Sequence, residues 1–125
     1  MRLFLLLTFL FTAVLPARLF AESATDIVTE AYEDVLGRKP DPEGMRNFRS
    51  KVIEKDWTAE DVRKALRNSN EYADKIIREA FQDVLGRKPD EGALNTYRDK
   101  ILRKGWDAKR LRKELRNRAE YRQKN

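Results

Sequence analysis

The chain has neither cysteine nor histidine among its 125 residues. Without cysteine, an exported protein has no disulfide and no thiol for a lipid anchor, so its stability has to come from packing. Without histidine, it lacks the commonest metal ligand and the side chain that most readily carries protons near neutral pH. We therefore expect neither a zinc site nor a cofactor.

The carboxylates remain as candidates for acid–base chemistry, and they form no convincing catalytic set. Asp41 with Glu43, and Asp90 with Glu91, lie close together in the sequence. Each pair falls at a predicted helix start, where the helix dipole favours negative charge, and no serine, cysteine or histidine partner lies nearby. We predict a non-enzymatic protein with no catalytic residues and no metal site. An irregular calcium site is the alternative that the sequence leaves open, since the alternating oxygen ligands of an EF-hand are missing.

The one long apolar run lies at the N-terminus. Arg2 is followed by an apolar stretch from Leu3 to Leu15, and small residues come after it. This order is typical of a secretory signal peptide, and the stretch is shorter than the ~20 residues that a membrane-spanning helix needs. We predict a signal peptide over residues 1–21, with cleavage after Ala21 and a second candidate site at Ala17. The protein should then be exported to the periplasm or the medium and keep no transmembrane segment.

The rest of the sequence is an internal repeat. Its two parts align at a shift of 49 residues without a gap. AYEDVLGRKPD, residues 31–41, returns as AFQDVLGRKPD, and KALRNSNEY, residues 64–72, returns as KELRNRAEY. Such self-similarity indicates a repeat architecture. We assign residues 22–73 to repeat 1 and residues 74–125 to repeat 2.

The apolar spacing within each repeat is that of a helix, and no window alternates like a strand. Repeat 1 opens with six apolar residues that share one helical face: Ile27, Val28, Ala31, Tyr32, Val35 and Leu36. Gly37 and Gly86 come next, where glycine can take the left-handed conformation that closes a helix. Pro40 and Pro89 then prevent the helix from continuing.

Capping residues mark the helices that follow. Asp41 and Asp90 can each cap a second helix. Thr58 with Asp61 approximates a capping box, and Asp107 is a plain N-cap, so a short third helix should follow each tryptophan. The sequence therefore predicts an all-α fold of about six helices, with two tandem three-helix repeat units packed as one small helical domain.

The expected core follows from the same alignment. We predict one apolar cluster in each repeat: Tyr32, Leu36, Phe48, Trp57 and Leu66 in repeat 1, and Phe81, Leu85, Tyr97, Trp106 and Leu115 in repeat 2. The two tryptophans have an alternative role, because an exposed indole ring can stack on a sugar or a nucleobase. Packing is favoured, since a tryptophan between two helices usually buries its ring.

The repeated motif resembles a bacterial phycobilisome-linker-like domain. Its pattern is Tyr-x-x-Val-Leu-Gly-Arg-x-Pro-Asp, then a glycine, an aromatic residue and a final Ser-x-Glu-Phe. Repeat 1 matches it at Tyr32, Val35, Leu36, Gly37, Arg38, Pro40, Asp41, Gly44, Phe48, Ser69, Glu71 and Tyr72. Repeat 2 matches it at Phe81, Val84, Leu85, Gly86, Arg87, Pro89, Asp90, Gly92, Tyr97, Glu120 and Tyr121.

Repeat 2 departs from the pattern in two places. Gly92 lies one position earlier than expected, and Arg118 replaces the capping serine. The resemblance implies a helical module of extracellular and surface proteins that mediates assembly and has no established reaction. It carries no implication of light harvesting, because a full linker is much longer than either repeat.

Charge separates the two repeats. Repeat 1 has 9 lysines and arginines against 12 acidic residues, whereas repeat 2 has 16 against 9. On the predicted third helix of repeat 2, Leu111 and Leu115 face inward and a fan of cations faces outward: Lys109, Arg110, Arg112, Lys113 and Arg116. Glu60 and Asp61 stand where repeat 2 has Lys109 and Arg110. The fan is either a binding surface or a solvated face that keeps the protein soluble.

The Gly-Arg-Lys-Pro-Asp turns are the other candidate surface. Glycine, proline and aspartate are accounted for as helix stop and start residues, while Arg38, Lys39, Arg87 and Lys88 can reach a partner. We predict an exported protein-interaction or scaffold module whose partner is another exported or surface protein. The alternative is a binder of anionic polymers such as acidic polysaccharide, lipopolysaccharide or nucleic acid. A small inhibitor of an exported enzyme is a third possibility.

Overall fold

The computed structural model describes residues 17–124, with side chains at 23–118 and 120–123. The apolar stretch of the predicted signal peptide lies outside these residues. In the uncleaved chain the first helix begins at Ala17, so it runs through the bond after Ala21 at which cleavage is predicted.

The described residues form seven α-helices and no strand, which confirms the all-α prediction and packs the chain as one small domain. The helices are α1 (Ala17–Leu36), α2 (Pro42–Glu54), α3 (Ala59–Arg67), α4 (Asn70–Leu85), α5 (Glu91–Leu102), α6 (Ala108–Arg116) and α7 (Ala119–Lys124). Among them, no helix has both the length and the apolar character to cross a membrane.

The predicted helix ends are confirmed by the backbone. Gly37 and Gly86 have φ angles of 69° and 66°, the left-handed conformation that closes α1 and α4. Asp41 accepts a hydrogen bond from the backbone of α2, and Asp90 does the same for α5. Thr58 and Asp61 form the reciprocal capping box at the start of α3.

The buried side chains form two clusters. The first joins α1 and α3 through Val28, Ala31, Tyr32, Val35, Leu36, Val62 and Leu66, with Phe48 and Trp57 partly buried against it. The second joins α4, α5 and α6 through Ala73, Ile76, Ile77, Ala80, Phe81, Leu85, Leu94, Tyr97, Ile101, Leu111 and Leu115, with Trp106 partly buried. All ten predicted core residues lie in or against these clusters, and both tryptophans pack at the edge rather than inside.

Helix α4 belongs to both clusters. Its first turn carries Tyr72, whose side chain packs against the first cluster and the second, while the rest of the helix lines the second. Helix α4 also contacts α1 and α3. The boundary predicted between residues 73 and 74 therefore falls inside one continuous helix. We refer to α1–α3 as the first half and to α4–α7 as the second half.

Helix α7 is one helix more than the six predicted. It stands where a third repeat would begin, because Ala119 follows Asn70 by the repeat shift of 49 residues. Tyr121 packs against the second cluster as Tyr72 packs against the first. The packing of the Tyr121 ring against the second cluster stabilises the short helix that follows Asn117.

The hydroxyl group of Tyr32 lies so close to Gly44 that it explains why repeat 1 has glycine where repeat 2 has alanine. A Cβ atom at Gly44 would overlap the hydroxyl group of Tyr32, whose ring is buried. In the second half, Phe81 has no hydroxyl, and the position that corresponds to Gly44 is Ala93. The pairs tyrosine with glycine and phenylalanine with alanine therefore fit the same space.

We expect Gly44→Ala to destabilise the protein by about 1–3 kcal/mol, the usual cost of overpacking a core. In a Tyr32→Phe background the same change should cost less, because the overlap with the hydroxyl group is removed while the close approach to the Asp41 carboxylate remains. Chemical denaturation of the four proteins of this double-mutant cycle measures both effects. Equal effects of Gly44→Ala in the two backgrounds would show that the hydroxyl does not set the constraint.

Candidate functional site

The arginine of the first predicted turn is engaged in contacts within the fold. Arg38 donates hydrogen bonds to both carboxylate oxygens of Glu71, at 2.6 and 2.8 Å, and a third to the carbonyl oxygen of Lys39. Its guanidinium lies 5.2 Å from the centre of the Tyr32 ring. The bonds from Arg38 lower the pKa of Glu71. Arg38 thus ties the end of α1 to the start of α4.

The arginine of the second turn does the same one repeat later. Arg87 donates to both carboxylate oxygens of Glu120, at 2.6 and 2.9 Å, and to the carbonyl oxygen of Lys88. Its guanidinium lies 5.3 Å from the centre of the Phe81 ring. Of the four predicted turn residues, the two lysines are exposed and make no ion pair with another described residue.

Arg112, one of the five predicted cations of α6, is also engaged. It pairs with Asp83 on α4 at 2.7 Å, just as Arg63 on α3 pairs with Asp34 on α1 at 2.8 Å. Both arginines are less exposed than their carboxylate partners. This pair fastens the third helix of each half to the first, so Arg112 has a structural role that Arg63 shares.

The other four predicted cations form an exposed set that we call the basic face: Lys109, Arg110, Lys113 and Arg116. None of them makes an ion pair within the described part of the chain. Lys109 and Lys113 are four residues apart and Arg116 is three further on, so their charges lie side by side along the helix. Like charges at this spacing repel by a few tenths of a kcal/mol per pair.

The corresponding face of α3 is neutralised. Glu60, the counterpart of Lys109, pairs with Arg67 at 2.8 Å. Asp61, the counterpart of Arg110, accepts hydrogen bonds from the backbone and hydroxyl groups of Thr58, and these bonds lower its pKa. Helix α3 has the same length as α6. The fold of a third helix therefore does not require the basic face.

Trp106 fixes one of these cations in place. The guanidinium of Arg110 and the ammonium of Lys100 each lie 4.5 Å from the centre of its ring. Such contacts contribute roughly 0.5–1 kcal/mol at exposed sites. Trp57 has one cation against it, Lys51 at 4.8 Å, within the described residues. Trp106 thus packs against the second cluster and has one cation of the basic face, Arg110, close to its ring.

A shallow concave surface lies beside Trp106. Trp106 itself forms part of its lining, together with three cations of the basic face, Lys109, Arg110 and Lys113. The other lining side chains are acidic or polar: Asp107, Glu114 and Asn117. Asp107 is occupied as the N-cap of α6, where it accepts a hydrogen bond from the backbone of Arg110. The arrangement can hold an anionic group by charge and hydrogen bonding.

Lys100 was not among the predicted site residues. It belongs to α5, and its distance from the basic face in the sequence hides its position beside Trp106. A signal was present, since Lys51 stands at the equivalent position before Trp57. In neither case does the spacing of six residues correspond to a helical face, because the chain leaves the helix in between.

No group of three or more acidic residues that could hold a metal ion occurs within residues 17–124. The carboxylates considered above for acid–base chemistry include Asp41 and Asp90, and both serve as helix N-caps. Comparison of the chain with protein-family models, with curated proteins and with solved structures finds no match.

Proposed function

We propose that this protein is an exported, non-enzymatic interaction module. In this proposal two tandem copies of a three-helix unit form one rigid scaffold, and the basic face of α6 is its binding surface. One observation carries the proposal. The two halves share two ion pairs and their helix contacts, and two exposed acidic residues of α3 become a lysine and an arginine on the exposed face of α6.

The recurring contacts support the two-unit arrangement. The ion pair Arg63–Asp34 recurs as Arg112–Asp83, and Arg38–Glu71 recurs as Arg87–Glu120, each at the shift of 49 residues. In each half the first helix contacts the second and the third. A duplicated unit keeps such contacts because both copies need them to fold.

The divergence supports binding at the basic face. Replacing Glu60 and Asp61 of the first half by Lys109 and Arg110 removes one ion pair and one capping box, and it adds repulsion between like charges. These changes lower the stability of the helix, and no ion pair within the described residues compensates for them. Such a surface is a candidate for function. The chemistry indicated is recognition of negative charge.

The partner that we put first is an exported or surface protein with an acidic patch. The resemblance to phycobilisome-linker-like modules supports an assembly role, as does a small domain without catalytic residues. A charged face on α6 would steer such a partner into place and set the register of the complex.

An anionic polymer is the second candidate, and one observation favours it. Within the described residues the one large hydrophobic side chain that is exposed is Ile53 on α2, which belongs to the other half. Interfaces between proteins usually depend on buried apolar or aromatic anchors. A surface whose exposed charges are mainly cationic suits a polysaccharide, lipopolysaccharide or nucleic acid, whose binding is largely electrostatic.

Export is part of the proposal, and the repeat supports the cleavage site. Helix α4 begins at Asn70, and the position one repeat earlier is Ala21. Cleavage after Ala21 would leave a first helix almost as long as α4. We expect intact-mass analysis of protein from export-competent cells to show a chain that begins at Glu22. A mature chain that keeps residues 1–21 would contradict export with cleavage.

Reversing charge on the basic face tests the binding surface. The double change Lys109→Glu and Arg110→Asp should leave helicity intact and alter stability by no more than about 1 kcal/mol, since both side chains are exposed. Affinity for heparin or DNA should fall, and the slope of log affinity against log salt should become shallower by roughly two, one per lost contact.

A matched control places the same charge change elsewhere. The pair Lys39→Glu and Lys88→Glu alters net charge equally but acts on the exposed lysines of the two turns. Equal losses in both variants would mean that net charge, not the basic face, governs binding. If the parent binds no polyanion but captures an acidic exported protein that the α6 variant does not, the protein partner is favoured.

A further inference from the structure

A second cationic site lies in the other half, between α1 and α2. Arg49 of α2 is partly exposed, yet its Nε atom is buried and has no hydrogen-bond partner. It is the one buried side-chain nitrogen or oxygen without a partner in the part of the chain that the structure describes. A buried donor without an acceptor costs about 1–3 kcal/mol, so its presence requires an explanation.

The second half shows what the same arginine does when it is satisfied. Arg98, the counterpart of Arg49, donates to both carboxylate oxygens of Asp74 on α4, at 2.5 and 2.8 Å, and to the side-chain oxygen of Asn95 at 3.0 Å. The bonds from Arg98 lower the pKa of Asp74. The guanidinium therefore has three acceptor contacts from its own chain.

In the first half each acceptor is replaced. Thr25 stands at the position of Asp74, and Arg46 stands at the position of Asn95. Ser50 takes the place of Asp99, which pairs with Arg103 and Lys104. The substitutions remove two carboxylates and one amide, and they introduce a second guanidinium and two hydroxyl groups.

The helix geometry brings these groups to one side. Arg49 and Ser50 lie three and four residues after Arg46 on α2, so each is its neighbour on the surface of the helix. Thr25 occupies the position from which Asp74 reaches Arg98. The acidic residues close to these groups in sequence, Asp26, Glu43 and Glu54, are exposed and make no ion pair with Arg46 or Arg49 in the described residues.

We propose that Arg46, Arg49, Thr25 and Ser50 form a binding site for a tetrahedral oxyanion, a phosphate or sulfate group. Two guanidinium groups and two hydroxyl groups are donors that such an anion accepts from well, and arginine matches its oxygens in bidentate fashion. The bound anion supplies the guanidinium group of Arg49 with acceptors, as Asp74 does for Arg98, and binding requires the side chain to turn its buried Nε–H toward the anion. This site is separate from the basic face and does not depend on the function proposed for it.

The side-chain Nε–H signal of Arg49 in a proton–nitrogen NMR spectrum reports on the site directly. We would titrate sodium phosphate and sodium sulfate into the purified protein, with sodium chloride keeping ionic strength constant. The expected result is a saturable shift of the Arg49 signal, with the Arg98 signal unchanged. No shift with either anion, or an equal shift with chloride alone, would overturn the proposal.

The repeat supplies the matched variants. Thr25→Asp recreates the pair of the second half, so it should raise the melting temperature and weaken anion binding by at least about tenfold, the effect of one charge-assisted hydrogen bond. Thr25→Asn has the same shape without the charge and should bind as the parent does. If Thr25→Asp binds the anion as tightly as the parent, Arg49 is not the ligand.

Two further arms separate this site from its alternatives. The variant Lys109→Glu with Arg110→Asp should leave the Arg49 titration unchanged, and loss of the shift in it would assign the anion to the basic face and overturn the proposal. Vesicles that contain phosphatidic acid, at the same phosphate concentration, identify the source of the group. A response to both vesicles and inorganic phosphate indicates a lipid headgroup, a response to inorganic phosphate alone indicates the free anion, and both support the site.

Discussion

The structure depends on one helix that serves two cores. Helix α4 places Tyr72 against both apolar clusters, and Glu71 beside it accepts the bidentate bond from Arg38. Because this helix cannot be divided between the halves, no linker separates them and their relative position is fixed. Helix α7 places Tyr121 against the second cluster, as α4 places Tyr72 against the first.

Much of the fold could be predicted because its determinants are local. The glycines that close α1 and α4, the aspartates that cap α2 and α5, and the apolar faces all act within a few residues of their position. The ion pairs could not be predicted, since Arg38 and Glu71 are 33 residues apart and nothing local identifies the partner. For this reason the turn arginines resembled binding residues in the sequence, although their side chains are engaged within the fold.

Comparison of equivalent positions in the two repeats separates contacts that folding requires from surface residues that are free to change. Contacts that both halves keep are those that folding requires, and the ion pair and the capping box of α3 are lost in α6 where Lys109 and Arg110 replace Glu60 and Asp61. The first half neutralises its third helix through Glu60 and Asp61 but leaves Arg49 unsatisfied, whereas the second half satisfies Arg98 and leaves the basic face exposed. The two halves thus share a pattern of helix contacts and differ in which of their cations have an acidic partner.

Native-state hydrogen exchange of a Val62→Ala variant shows whether α4 makes the two halves one cooperative unit. Val62 is fully buried in the first cluster and has no place in the second, so this truncation perturbs only one core, by about 1–3 kcal/mol. If α4 couples the halves, the most protected amides of α6, around Leu111, should lose the same opening free energy as those of α1. Loss of protection in α1 and α3 alone, with α6 unchanged, would show that the halves unfold independently and that α4 does not couple them.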